Sequence, residues 1–234
     1  MPTNRVITNK LDRLERQLKK KLLAFYNAVI AGSLIPIDIL RQKYDQKVKD
    51  IIRSTAQESY LIGTDRVASA VLTNEKDFQL FISATDLNNI TSLTDRLSND
   101  FWTTAQRLQD RENTVDKPNL DAKAALTGIA AAVAFSAFNN AIKSKSTQVT
   151  ANQQPQLRTV SISPQGITDL EFDVPFEIKP VGRIRFVTKQ DSKVDPDICA
   201  PLHGTTWFVD DPSIVTPPDD THRFCRCTLE PVIE

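Results

Sequence analysis

Cys199, His203, His222, Cys225 and Cys227 are all of the cysteines and histidines in the chain, and all five lie in its last 36 positions. They fall as Cys199-x-x-x-His203 and His222-x-x-Cys225-x-Cys227. Thiolate and imidazole are the usual ligands of zinc, and four of them close a tetrahedral structural site. The spacing favours Cys199, His222, Cys225 and Cys227 as the ligand set, with His203 or an aspartate as a substitute. Two other readings stand beside it. The five residues can be ordinary thiols and polar histidines in a folded loop, or Cys199 can form a disulfide with Cys225 or Cys227. Residues 190–226 argue for a staple. They are loop-like, rich in Asp and Pro, with Ile198, Leu202, Trp207 and Phe208 as their main apolar residues. So small a core does not offset the entropy of ordering such a segment, whereas metal binding would be coupled to its folding.

Catalytic readings of the same residues are weaker. Cys199 with His203 or His222 has the composition of a nucleophile–base pair. A zinc with an open position and Asp191 as base would suit a hydrolase. The chain has no His-Glu-x-x-His, no Gly-x-Ser-x-Gly and no glycine-rich phosphate loop, and only 6 glycines in all. The expectation is a protein that is not an enzyme.

The elements that must hold this cluster can be read from punctuation. Ten of the 13 prolines follow residue 150, and none lies between Ile37 and Lys117. Proline stops helices and is confined in sheets, so the first part of the chain is free to be helical and the last part is turns and short strands. Thr3 can cap a helix over 4–31 with Ile7, Leu11, Leu14, Leu18, Leu22, Phe25 and Val29 on one stripe. Gly32, Ser33 and Pro36 break the chain. A second helix follows with Ile37, Leu40, Tyr44, Val48, Ile51 and Thr55, running past Gly63 to Leu72 with a kink. The two form an αα-hairpin. Residues 73–86 are a connector with an apolar patch, Phe78 and Leu80 to Ile82. Thr85 or Asp86 can cap a third helix carrying Leu87, Ile90, Leu93, Leu97, Phe101 and Leu108, flanked by Trp102. Pro118 and Asn119 open a fourth, over about 120–145, whose middle from Gly128 to Phe138 is apolar all round and built from small side chains. Such a helix is the buried centre of a bundle or a buried contact between subunits. Asn139 and Asn140 interrupt it, and it reads as too short to span a bilayer. Residues 144–156 look like a polar linker. Leu157–Ser163, Glu171–Val174 and Arg183–Thr188 alternate as strands of one small, mostly antiparallel sheet.

The expected fold is therefore α+β. A helical domain, a long-helix bundle or hairpin, occupies 1–146. A linker with the first strands spans 147–182, and a zinc-stapled Cys/His module of antiparallel strands and loops spans 183–234.

With 234 residues, 40% hydrophobic and 25% charged, the composition is that of an ordinary globular protein. Lys+Arg 29 balance Asp+Glu 29, so the chain is not basic overall as many nucleic-acid binders are. No apolar run suggests a membrane helix, no secretory signal is visible, and synthesis in a reducing cytosol is the default. The neutrality is a cancellation. Residues 1–60 hold 12 Lys/Arg and 6 Asp/Glu, net +6; residues 191–234 hold 3 and 9, net −6. Two surfaces of opposite sign suit partners or head-to-tail packing. Arg13, Arg16, Lys19, Lys20 and Lys21 are the contact face of an alternative reading, a zinc-stabilised nucleic-acid-binding module used in packaging.

The C-terminal residues also resemble a family. Thr188, Asp191, Val194, Pro196, Cys199, Leu202 and Gly204, then Pro217, Pro218, His222, Cys225, Arg226, Cys227, Leu229 and Pro231, fall on the signature of the phage Mu protein F-like head morphogenesis family. That signature reads Thr-x-x-Asp-x-x-Val-Cys-Pro-x-Cys-x-x-Leu-x-Gly, a variable loop, then Pro-Pro-x-His-x-x-Cys-Arg-Cys-x-Leu-x-Pro. Two of this chain's departures from that signature bear on the ligands. Asp195-Pro196-Asp197, one residue longer, stands in place of the first cysteine, and His203 stands where a polar residue is usual. The resemblance implies a minor capsid protein of a tailed phage, a structural component of head or neck made in the host cytoplasm. It implies portal and major capsid proteins as partners, multiple copies in an assembly, no membrane and no catalysis.

Overall fold

The computed structural model describes residues 4–71, 83–112, 118–151, 158–162, 170–174, 181–189, 194–222 and 224–233. Four helices come first: α1 (Asn4–Val29), α2 (Ile37–Val71), α3 (Ala84–Glu112) and α4 (Pro118–Ala151). Five short strands follow: β1 (Arg158–Ile162), β2 (Leu170–Val174), β3 (Val181–Val187), β4 (Thr206–Phe208) and β5 (Thr228–Ile233), with a 3-10 turn at Ala200–Leu202. This is the expected α+β order. Thr3, the 73–82 connector with its apolar patch, and Asp191 lie outside the described residues.

Ile7, Leu11, Leu14, Leu18, Leu22 and Phe25 of α1 are all buried, because three- and four-residue steps keep them on one face. The chain reverses at Gly32, whose φ of 70° costs a glycine little. Gln109 of α3 holds that turn, donating from Nε2 to the carbonyls of Ser33 (2.9 Å) and Ile35 (3.1 Å). Helix α2 runs through Gly63 to Val71. A Cβ at Gly63 would lie 2.6 Å from the Phe138 carbonyl and 2.7 Å from the Ala141 Cβ, so glycine lets α2 and α4 approach backbone to side chain. On α3, Ile90, Leu93, Leu97, Phe101 and Leu108 are buried as expected, but Leu87, one turn earlier, is 47% exposed. Trp102 does not merely flank the stripe: it is buried, and its Nε1 donates to Asp45 of α2 at 2.8 Å.

Helix α4 touches all three other helices. Every residue from Gly128 to Asn139 is buried, so the small-residue run is the centre of this bundle. The helix is also longer than its sequence suggested. It runs on to Ala151, so most of the segment taken as a polar linker, and the boundary at 146, fall inside a helix. Lys145, Ser146 and Val149 are buried there. Lys145 is answered there by Asp86 and by Gln148 Oε1 (3.0 Å), which a reading of composition does not reveal. Over Ala122–Thr150 the helix is long and apolar enough to cross a membrane by length and composition, contrary to expectation, and 83% of its apolar window is buried against the rest of the chain.

The start of α3 shows how its buried polar groups are answered. Neither Thr85 nor Asp86 is the capping residue; Ser83 is. Its Oγ accepts from the Asp86 N–H (3.2 Å), and its own N–H donates to Asp86 Oδ2 (2.7 Å), a reciprocal capping pair. The Asp86 carboxylate is fully buried and also takes hydrogen bonds from Tyr60 of α2 and from Ser144 (3.1 Å) and Lys145 of α4. Burial opposes ionisation of Asp86, but the Lys145 ammonium, Tyr60 and Ser83 outweigh it and hold the carboxyl well below the ordinary carboxylate range. Burial, reinforced by Asp86, pushes the Tyr60 phenol up, so it remains a donor.

The strands form two sheets and not one. β1 and β2 pair antiparallel, Arg158 opposite Val174. β3 is the centre of a separate antiparallel sheet in the order β4-β3-β5. Neither β4 nor β5 was legible as a strand. Nor does this sheet stand apart from the helices. Val181, Ile184 and Phe186 of β3, with Val209, Ile214 and Leu229, share one core with Ile7, Leu11, Val67, Val71, Phe135, Phe138 and Ile142.

Because Asp86 is ionised in the folded chain at pH values where it would be protonated unfolded, its contribution is complete above about pH 5 and is lost as pH falls below the unfolded value of about 4. Denaturant titrations from pH 7 to pH 3 should show this fall in the wild type and a flatter profile in Asp86→Asn. Lys145→Ala, which strands a buried carboxylate, should cost about 3–5 kcal/mol at pH 7.

Candidate metal centre

Strand β3 positions both arms of the cysteine–histidine cluster. Along it Ile184 and Phe186 point into the core, while Arg183 stacks over the Phe208 ring (4.2 Å) and Arg185 pairs with Glu230 (2.8 Å). At its C-terminal end the Phe186 N–H donates to the Thr205 carbonyl (2.9 Å), and the Phe186 carbonyl accepts from Gly204 (2.9 Å), whose φ is 81°. That fixes the 195–204 loop. Next to it Val187 pairs with Thr228 of β5, which fixes the 222–227 turn.

Each arm is also built locally. The Asp195 carboxylate accepts from the N–H groups of Asp197 and Ile198, both at 2.9 Å, and its carbonyl accepts from Cys199 at 3.0 Å. The Asp-Pro-Asp that replaces a cysteine of the resembled signature is thus a turn-former that delivers Cys199 into the core. In the other arm the Cys225 N–H donates to the His222 carbonyl at 2.8 Å.

Three of the four expected ligands meet. One ligand atom each from Cys199, His222 and Cys225 lies within 4.8 Å of the others, and the Cys199 and Cys225 sulfurs are 3.5 Å apart. Bonds of about 2.0–2.3 Å in a tetrahedral site put ligand atoms roughly 3.5 Å from one another, so the sulfur pair already has the right separation. The three cysteines are free thiols, and at this separation the two sulfurs are not joined as a disulfide. The His222 Nε2 is buried and has no hydrogen-bond partner among the described residues. A buried imidazole nitrogen without a protein partner is open to ligation, and the thiol and imidazole donors that converge here fit a metal.

Cys227 stands beside this trio. Its N–H donates to the Cys225 sulfur at 3.5 Å, and the Cys227 thiol also hydrogen-bonds Cys225. That bond, with help from Thr221 and against the opposing effect of burial, lowers the Cys225 thiol to about 6. Burial, together with the neighbouring Cys225, pushes Cys199 up to about 11, and the bond to Cys225 with burial raises Cys227. The three thiols thus act on one another, with Cys225 the one favoured towards thiolate and its neighbours shifted the other way.

His203 is not brought to the trio. It is exposed, and its Nδ1 is engaged by the N–H of Thr188 (3.2 Å) and by Thr188 Oγ1 (2.9 Å). Arg13, Arg16, Lys20 and Lys21 are exposed on α1, and Lys19 is half-buried.

One residue essential to the geometry was read only as an interruption. Asn139 of α4, fully buried, donates from Nδ2 to the carbonyls of Pro217 (2.6 Å) and Cys227 (3.1 Å), and its Oδ1 accepts from the Leu229 N–H (2.8 Å). It clamps the metal-side turn and the first residues of β5 to the bundle. Thr147 adds a bond to the Val209 carbonyl (3.2 Å) and Thr150 one to the Val181 carbonyl (2.9 Å). The available signal was a carboxamide set in an otherwise apolar run. Compared with protein-family models, curated proteins and solved structures, the chain has no match.

Titration of the reduced chain with Zn²⁺ or Co²⁺ should give one ion per chain, and Cys225→Ser or His222→Ala should weaken it at least ~100-fold, more than the loss of a supporting partner does. Because the ion must displace thiol protons, and Cys199 holds its own up to about 11, affinity should fall with pH across the neutral range and more steeply below about 6, where Cys225 also takes one up. Asn139→Ala leaves up to three buried backbone groups unpaired at roughly 1–3 kcal/mol each, so unfolding in denaturant should show a loss of about 3 kcal/mol or more.

Proposed function

We propose that this chain is a structural component of a tailed-phage particle, a minor head or portal-vertex protein whose C-terminal module is closed by one structural zinc. The observation that supports it most is that the residues carrying the resemblance also form a physical unit. Cys199, His222 and Cys225 of the signature converge, and Cys227 backs them. Thiolate and imidazole donors favour zinc over oxygen-seeking ions such as magnesium or calcium. Cys227 is the fourth ligand on this reading, released from Cys225 to the ion. The role is structural and not catalytic, because Cys199 and Cys225 are buried in the core that the module shares with the helices. The partners are portal and major capsid proteins, the chain is present in multiple copies, and it is located in the virion head or neck after synthesis in host cytoplasm.

Native mass spectrometry of the reduced full chain, alone and mixed with a portal-ring candidate from the same genome, tests this directly. One zinc per chain and a discrete nuclease-resistant complex with the ring are expected. A chain that ignores the ring and instead binds duplex DNA, with affinity falling steeply with salt, would replace this reading by the nucleic-acid module.

A further inference from the structure

The salt bridges between the two ends of the chain sort its charges. Helix α1 carries two acidic residues, Asp12 and Glu15, and both are taken by cations of the C-terminal module. Lys189 Nζ lies 2.6 Å from Asp12, and Arg226 grips Glu15 with Nε at 2.6 Å and Nη2. The same bridges use up module cations, and Glu230 takes Arg185 at 2.8 Å and Arg66 at 3.7 Å. Among the described residues, the charges of α1 outside these bridges are cations, and those of the module's turns outside them are carboxylates, with Arg183 of β3 seated over the Phe208 ring. Lys10, Arg13, Arg16, Lys20 and Lys21 are exposed on α1 without an ion pair among the described residues. Helical geometry gathers them on one outer face, with Glu58 of α2 the acidic residue that borders it beside Lys10 and Arg13. On the module, Asp195, Asp197, Asp210, Asp211 and Asp220 lie in turns, all at least partly exposed and likewise without an ion pair among the described residues.

We infer that these two surfaces bind each other between copies, the basic face of α1 in one chain against the acidic turns of the module in the next. The occupant is a second copy because the complementary charge is on this same chain. Mutual repulsion of like charges on a free surface is relieved when each meets its opposite, and the contact is steered over a Debye length of about 10 Å at 0.1 M salt. The two patches differ, so the contact is heterologous, head to tail. It builds a ring where the rotation closes and a filament where it does not. This inference does not depend on the phage reading or on the metal.

Charge reversal in the full chain, with and without added Zn²⁺, tests it. One variant carries Arg13→Glu and Lys20→Glu, the other Asp197→Lys and Asp210→Lys, all exposed positions. Sedimentation velocity should show wild-type self-association at low salt that weakens about tenfold or more as salt rises to 1 M, where the Debye length is about 3 Å. Each variant alone should stay monomeric with an unchanged melting temperature. An equimolar mixture of the two should associate again, because each then meets a partner of opposite sign. A wild type that is monomeric at every salt concentration overturns the inference, as does association that survives both reversals. Duplex DNA bound by the wild-type α1 face without self-association overturns it in favour of a polyanion.

Discussion

A helix enclosed on every side has no water to answer its polar groups, so each polar side chain on it must find a protein partner. Helix α4 is under that constraint from Gly128 to Asn139, and the rest of the molecule is arranged around it. Its apolar run, Gly128 to Phe138, supplies surface to three helices and to the C-terminal sheet. Its polar residues act as fasteners. Ser136 reaches Asp219 at 2.8 Å, Asn139 holds Pro217, Cys227 and Leu229, and Lys145 neutralises Asp86. Because each bond is made away from water, losing one partner strands the other, and the cost exceeds the bond's own net value.

The same helix changes the energetics of the cysteine–histidine segment. The sequence offers residues 190–226 few apolar side chains of their own. Cys199, Val209, Ile214 and Cys225 share a core with Phe135, Phe138 and Ile142, and Pro217 is anchored by Asn139. A metal at Cys199, His222 and Cys225 would therefore tighten a module that already has a hydrophobic seat, unlike small domains that are unfolded without their ion. It would also have a route to the bundle, since the Cys227 carbonyl and the Leu229 N–H sit on either end of one carboxamide.

Electrostatics follows the same logic at the surface. The zero net charge conceals a basic start and an acidic end, and the fold does not simply bring them together. It pairs the minority charges, Asp12 and Glu15 with Lys189 and Arg226. Arg226 and Glu15 are largely desolvated, where a bidentate pair fixes geometry as well as energy. The majority charges are left outward, available to partners.

Periodicity made the four helices legible, since Leu11, Leu14, Leu18 and Leu22 admit no other regular fold that buries them together. The gathering of all cysteines and histidines at one end likewise marked the metal candidates before any geometry. Local sequence determined those features because they depend on side-chain type and on spacing within a few residues. It could not show that Ser144 to Ala151 is helix, that Ser83 and not Asp86 is the capping residue, that Thr228–Ile233 is a strand, or that His203 stays outside the cluster. The cap was decided by the local Ser83–Asp86 pair, the others by partners farther along the chain: Val181 for Thr150, β3 for β5, Thr188 for His203. Asn139 is the clearest case. In sequence it is an interruption of an apolar run, and only the arrival of residues 217–229 against it turns that polarity into the bond that holds the site.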